Sequence, residues 1–163
     1  MKSGIGSVTV GLTDSVHVSA LVAVNCFGDV RDPETGQLIA GARRARNSME
    51  LADTEAAMKL GARRDWGRQN TTLAVVATNA RLSKVGATRL AQMANLGMAR
   101  TIYPVNTNFD GDLCIALSLG TETAELNTLG VAAAEAVGKS ILLAVRSAPS
   151  LGGVPGLAGL KKT

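Results

Sequence analysis

The near absence of aromatic rings limits what this chain can fold into more than any other feature. Hydrophobic residues fill 46% of its 163 positions, but aromatics only 2%: two Phe, one Tyr and one Trp. A core must therefore be built from Ala, Val, Leu and Ile. Such small side chains reach the packing density of protein interiors only if backbones approach closely. The 18 glycines allow that approach and supply tight turns. The length suits one domain, 1–163, with a sizeable core.

The apolar residues fall into blocks of two periods. Residues 6 to 12 and 16 to 25 alternate small or polar with apolar side chains, so Thr13-Asp14-Ser15 reads as the turn of a β-hairpin. Asp32-Pro33-Glu34-Thr35-Gly36 is a second turn between short extended segments. From Gly41 to Asn70 the chain is charged and lacks long apolar runs. It reads as an exposed connector carrying one helix over 49–60, capped by Ser48 and stopped by Gly61. Thr71 to Thr78 is a β-rich strand. A helix follows from Ser83 to about Arg100, with Leu82, Val85, Leu90, Met93, Ala94 and Leu96 as its apolar stripe and Pro104 beyond its end. Leu113 to Leu119 reads as a buried strand, and residues 127 to 147 as a helix capped by Asn127. This order, with mostly non-crossover strands, predicts an α/β fold in which helices cover a layered sheet.

Charge and cysteine usage bear on the function class. The net charge is +4, with much of the excess in Arg43, Arg44, Arg46, Arg63, Arg64 and Arg68. Such a cluster reads either as a solvated loop or as a nucleic-acid patch. Trp66 is the one aromatic among these arginines, too little for a stacking platform, so no nucleic-acid partner is expected. Cys26 and Cys114 lie in apolar runs as free buried thiols and suit a reducing, cytoplasmic compartment. No signal core follows Met1-Lys2, and Glu135 and Lys139 interrupt the C-terminal apolar stretch, so no membrane partner is expected.

Three positions carry possible chemistry. Asn70-Thr71 joins a charged connector to a strand. A hydroxyl there can attack the preceding carbonyl, and the cut would leave a threonine whose own α-amine titrates near ~7.7–8 and can act as general base. The plain alternative is a polar pair opening a strand. In Phe109-Asp110-Gly111-Asp112, glycine lets two carboxylates share one pocket, where proximity shifts their titration. The alternatives are a simple turn or a calcium-type loop, and the EF-hand spacing is absent. Asn25 ends an apolar strand, either as an oxyanion donor or as a turn residue. His17, the single histidine, sits between valines and faces solvent or a local partner. No spacing of His and Cys makes a metal site, and neither Gly4-Ile5-Gly6 nor Gly152-Gly153 matches a phosphate-binding loop, so no cofactor is expected.

Taken together, the run Asn70-Thr71-Thr72-Leu73-Ala74-Val75-Val76-Ala77-Thr78-Asn79-Ala80, then Leu90-Ala91-Gln92-Met93-Ala94, Gly97-Met98-Ala99-Arg100 and Phe109-Asp110-Gly111-Asp112, resembles the self-processing L-aminopeptidase/D-esterase (DmpA-like) hydrolases, which include the nylon-oligomer endohydrolase. Lys2 to Ser7, Ala20 to Asn25 and Ile39 to Arg43 extend the resemblance over nearly the whole chain. It implies a four-layer αββα sandwich, a homo-oligomer and hydrolysis of amide bonds in peptides or short polyamides. It also implies self-cleavage at Asn70–Thr71, separating residues 1–70 from 71–163. Thr71 becomes the nucleophile, Asp110 and Asp112 tune it, and Asn25 stabilises the oxyanion. Two departures stand out. Asn106 replaces the family's usual histidine. The chain also looks like the C-terminal part of such a protein, without the N-terminal region that carries further strands and a catalytic lysine. A missing portion or second chain is therefore an expected partner, and a non-catalytic assembly module with the same fold is the rival reading.

Overall fold

The computed structural model describes residues 1–61 and 70–159. Arg63, Arg64, Trp66 and Arg68 of the connector lie outside the described residues. In chain order the elements are β1 (Ile5–Gly11), β2 (His17–Ala23), β3 (Asp29–Arg31), β4 (Leu38–Ala40), α1 (Thr54–Lys59), β5 (Leu73–Ala80), α2 (Lys84–Thr101), β6 (Ile102–Tyr103), β7 (Leu113–Glu122) and α3 (Leu126–Arg146).

β1 and β2 form the expected hairpin, with Ile5 opposite Ala23 and Gly11 opposite His17. The main sheet has the order β1-β2-β5-β7. β2 runs antiparallel to β5, whereas β5 and β7 are parallel and joined through α2, a crossover that the strand pattern did not suggest. The segments flanking the Asp32–Gly36 turn are β3 and β4, and with β6 they make a small sheet of order β4-β3-β6.

One face of the main sheet is covered by helices. α3 lies over β1 and β2, α2 lies over β7, and the two helices pack together. Val18, Ala20, Val22, Ala74 and Val76 point into this layer and are essentially inaccessible. Small residues bring the backbones together as the composition demands. A Cβ on Gly6 would strike the Ser140 carbonyl oxygen of α3, and one on Gly97 would strike the Ala134 carbonyl oxygen. α3 is long and apolar enough to cross a membrane, despite Glu135 and Lys139. Its apolar side nevertheless fills the core, while those two charges form an i,i+4 pair on the outer side.

Among the described residues, no helix or strand covers the other face of the main sheet. Leu21, Leu73, Leu113, Ile115, Leu117 and Leu119 alternate with the core residues along their strands and stay exposed, Leu119 at 73%. β7 is thus a half-buried edge strand rather than a buried one. The layered α/β class holds, and the described residues supply one helix layer and one main sheet of the expected αββα stack.

Several boundaries move for local reasons. The connector helix is short, and Asp53 caps it by accepting the Ala56 N–H, while Ser48 instead accepts the Glu50 N–H in a turn. Ser83 caps α2 as expected, but its buried stripe is Leu90, Ala94, Gly97, Met98 and Thr101, with Val85 and Leu96 exposed. The α3 cap is Glu125, whose carboxylate accepts the N–H groups of Asn127 and Thr128.

Candidate active site

β5 is the inner parallel strand, and the backbone just before it continues the ladder on both sides. The Leu113 N–H donates to the Thr72 carbonyl at 3.1 Å, and the Gly111 N–H donates to the Asn70 carbonyl at 2.8 Å. On the other side the Thr71 N–H donates to the Asn25 carbonyl at 2.9 Å, just beyond the end of β2. The Asn70–Thr71 peptide is therefore clamped, its oxygen toward the β7 loop and its N–H toward Asn25. The Asn70 N–H donates to the Phe109 carbonyl at 3.2 Å, completing an isolated parallel bridge between Asn70 and Asp110. The Thr71 hydroxyl donates to the Asn70 carbonyl oxygen at 2.7 Å.

The two carboxylates sit on either side of Gly111 and face different donors. Asp110 accepts from the Thr107 hydroxyl at 2.7 Å, the Thr107 N–H at 3.0 Å and the Phe27 N–H at 3.3 Å. Asp112 accepts from the Thr72 N–H at 2.6 Å and, at the 3.5 Å limit, from the Asn106 N–H. Burial pushes the Asp112 carboxyl above its ordinary value of 3.8, and the Asp110 charge adds to this, while the Thr72 N–H opposes it. Phe27 and Phe109, two of the four aromatic residues, pair with ring centroids 5.4 Å apart beside these contacts.

All five residues singled out in the sequence, Asn25, Asn70, Thr71, Asp110 and Asp112, meet at this one end of the sheet. The described contact of Asn25 runs through its carbonyl, and its side chain is exposed. Asn106 adopts φ 53°. Asparagine tolerates this left-handed conformation better than most side chains. Sequence reasoning matched Thr107 to the family pattern but assigned no role to it, although its hydroxyl holds Asp110, and assigned none to the main-chain N–H of Gly111. It passed over Asp29, fully buried at the start of β3. Asp29 accepts from the Ala42 N–H and from both the N–H and hydroxyl of Thr54, fastening the connector's first half. A lone Asp opening a three-residue strand carries no spacing signal, and main-chain donors leave no trace in composition.

A cavity of about 520 Å³ adjoins the clamped bond and is lined by Ser3, Asn25, Cys26, Gly41, Asn70 and others. Burial pushes the Cys26 thiol up to about 12, and its Sγ donates to the Gly28 carbonyl, so it behaves as an unreactive packing group. Among the described residues no group of three or more His, Cys, Asp or Glu is placed to hold a metal ion. In the described part of the arginine cluster, Arg43 donates to the carbonyls of Arg46 and Ser48, and Arg44 pairs with Glu50 at 2.8 Å.

Residues 1–158 match the model of peptidase family S58. An uncharacterised aminopeptidase of Mycobacterium leprae is 33% identical over 180 residues, covering 98% of this chain and 49% of that protein. One from Mycobacterium tuberculosis is 33% identical over 177 residues, covering 95% and 51%. Among solved structures, the L-aminopeptidase D-Ala-esterase/amidase of Ochrobactrum anthropi, described as a variant of the Ntn hydrolase fold, superposes with a TM-score of 0.58 at 20% identity. The match covers 94% of this chain and 43% of that one. A β-aminopeptidase of Burkholderia sp. gives 0.50 at 24% identity, covering 88% and 42%. The chain belongs to peptidase family S58. It has the fold of the DmpA-type Ntn hydrolases and spans about half the length of these relatives.

Proposed function

We propose that this chain cuts itself between Asn70 and Thr71, and that Thr71 then acts as an N-terminal nucleophile on amide bonds of peptides or short polyamides. The observation that carries the reading is the clamped peptide, with the Thr71 hydroxyl 2.7 Å from the oxygen of the carbonyl it would attack. The aminopeptidase names of the relatives support an amide substrate.

In the first step Thr71 Oγ1 bonds to the Asn70 carbonyl carbon, and the carbon–nitrogen bond breaks. The hydroxyl proton ends on the departing Thr71 nitrogen, so this acyl shift is an isomerisation. Water then hydrolyses the ester, giving the Asn70 carboxyl group and restoring the Thr71 hydroxyl. The new α-amine sits on the same residue and serves as base for the next acyl transfer. The Asn25 carbonyl orients that amine. Asp110 and Asp112 set the electrostatics around it, and the Asn25 side-chain amide is a donor to the substrate oxyanion. The acyl part of a substrate takes the cavity beside Asn70.

The bare sheet face supports a second element, assembly. An exposed apolar sheet face of this extent marks an interaction surface, and a second copy or the remaining family length would cover it. Without catalysis, the same observation supports a purely structural module. To separate the two, the cut protein is mixed with a panel of aminoacyl amides and quenched. A mass increase of one acyl group on the 71–163 fragment supports the enzyme, whereas turnover that persists in Thr71→Ala would remove Thr71 from the mechanism.

A further inference from the structure

We infer that the main-chain N–H of Gly111 is a catalytic group: it is the donor that receives the negative charge on the attacked carbonyl oxygen, first in self-cleavage and then in every turnover. This rests on the Thr71 reading above. Three observations carry it. First, the Gly111 N–H already points at the Asn70 carbonyl oxygen at 2.8 Å, on the carbonyl Thr71 would attack. When Thr71 Oγ1 bonds to that carbon, the π electrons move onto this oxygen, and a fixed donor then stabilises it without reorganising. Second, the donor is held from both sides. Asp110 is fastened by Thr107 and Phe27, and Asp112 by Thr72, so the amide between them cannot swing away. Third, glycine is needed here for space and not for its dihedral freedom, since Gly111 lies outside the left-handed region. A Cβ would sit 2.8 Å from Thr71 Oγ1, closer than such contacts normally come, and so crowd the nucleophile.

A substrate acyl group bonded to Thr71 Oγ1 puts its carbonyl where the Asn70 carbonyl was, so the same N–H meets both oxyanions. The two carboxylates beside it also gain a specific meaning. They brace the loop that carries a neutral main-chain donor.

The competing explanation is that this bond is only another rung of the β5–β7 ladder. The Leu113 N–H to Thr72 carbonyl bond is the neighbouring rung, is of similar length and touches no reacting atom. Each amide can be replaced by an ester in the full chain by building in the corresponding α-hydroxy acid, which deletes one N–H and leaves the side chains alone. The ester at position 111 should slow self-cleavage by about 10²–10³-fold per folded molecule. The ester at 113 should lower the unfolding temperature but leave cleavage within a few-fold. In protein that is already cut, the 111 ester should lower kcat with little change in KM. Equal slowing by both esters, or no slowing by the 111 ester, overturns the inference while leaving Thr71 as nucleophile. An uncut unmodified chain overturns both readings together. A measurement independent of ester folding is a scalar coupling across the hydrogen bond, between the Gly111 nitrogen and the Asn70 carbonyl carbon in the Thr71→Ala chain. Its absence overturns the inference.

Discussion

Upstream of the Asn70–Thr71 bond, the backbone of residues 41–61 is folded on itself and hung from a few polar points. Downstream it becomes an inner strand of a four-stranded sheet. The upstream points are Asp29, which holds Ala42 and Thr54, a bridge between Arg43 and Leu51, and the exposed Arg44–Glu50 pair. Downstream, β5 is paired along both edges and contributes Ala74, Val76 and Ala80 to the core. The difference teaches where a chain can be cut without losing its fold. A break at this border leaves the upstream end on the polar side, while the new N-terminus stays registered by the Asn25 carbonyl and, one residue on, by the contacts of Thr72 with Asp112 and Leu113.

Substitutions at the border should change cutting, and those on its two sides should change stability. The largest effect is expected at the border. Thr71→Ala should reduce self-cleavage more than about 10⁴-fold while leaving thermal unfolding nearly unchanged, and Thr71→Ser should keep part of the activity. On the strand side, Leu90→Ala opens a void under the β5–β7 crossover and should cost about 2–5 kcal/mol in denaturant unfolding. On the connector side, Asp29→Ala strands the donors of Ala42 and Thr54 and should cost about 2–3 kcal/mol. Folded molecules should still cut at the normal rate. If Asp29→Ala abolishes cutting in folded protein, the two sides are not independent and the comparison fails.

Asp112 ties the border to pH. Its folded pKa is raised by burial, so the folded chain holds this proton more tightly than the unfolded chain. The contribution of this group to stability is therefore greatest below 3.8 and falls as pH rises through the folded value. Asp112→Asn should flatten that decline. If the ionised carboxylate assists the nucleophile, the acid limb of self-cleavage lies above 3.8 and disappears in the same variant. A limb that stays in place assigns it to another group. The smallest effect belongs to Arg44→Ala, which breaks an exposed pair and should change stability by less than about 0.5 kcal/mol.

Much of this arrangement was legible in the sequence, because period-2 alternation marks β1 and β2, β-rich composition marks β5, and Ser83 is a strong N-cap. The α3 cap was misread because Asn outranks Glu at that position. Glu125 nevertheless caps by reaching two N–H groups at once, two residues earlier. β7 was misread for a more instructive reason. In Leu-Cys-Ile-Ala-Leu-Ser-Leu the small side chains alternate with large ones, and both sets look buriable. The helices accept the small set, so the large set lies on the open face. The crossover to β7 was hidden because a parallel pairing is set by where α2 packs and not by the strands themselves. At the site, side-chain chemistry at Thr71, Asp110 and Asp112 was readable. The donors of Gly111, Thr72 and Phe27 were not, because every residue type but proline offers the same N–H.

The central claim is that Thr71 cuts the chain and becomes its N-terminus. The most direct test is the intact mass of the purified protein under denaturing conditions, beside Thr71→Ala prepared in the same way. The account predicts two fragments, 1–70 and 71–163, from the unaltered chain and one uncut mass from the variant. A single full-length mass from both, or cleavage at another bond, would contradict it.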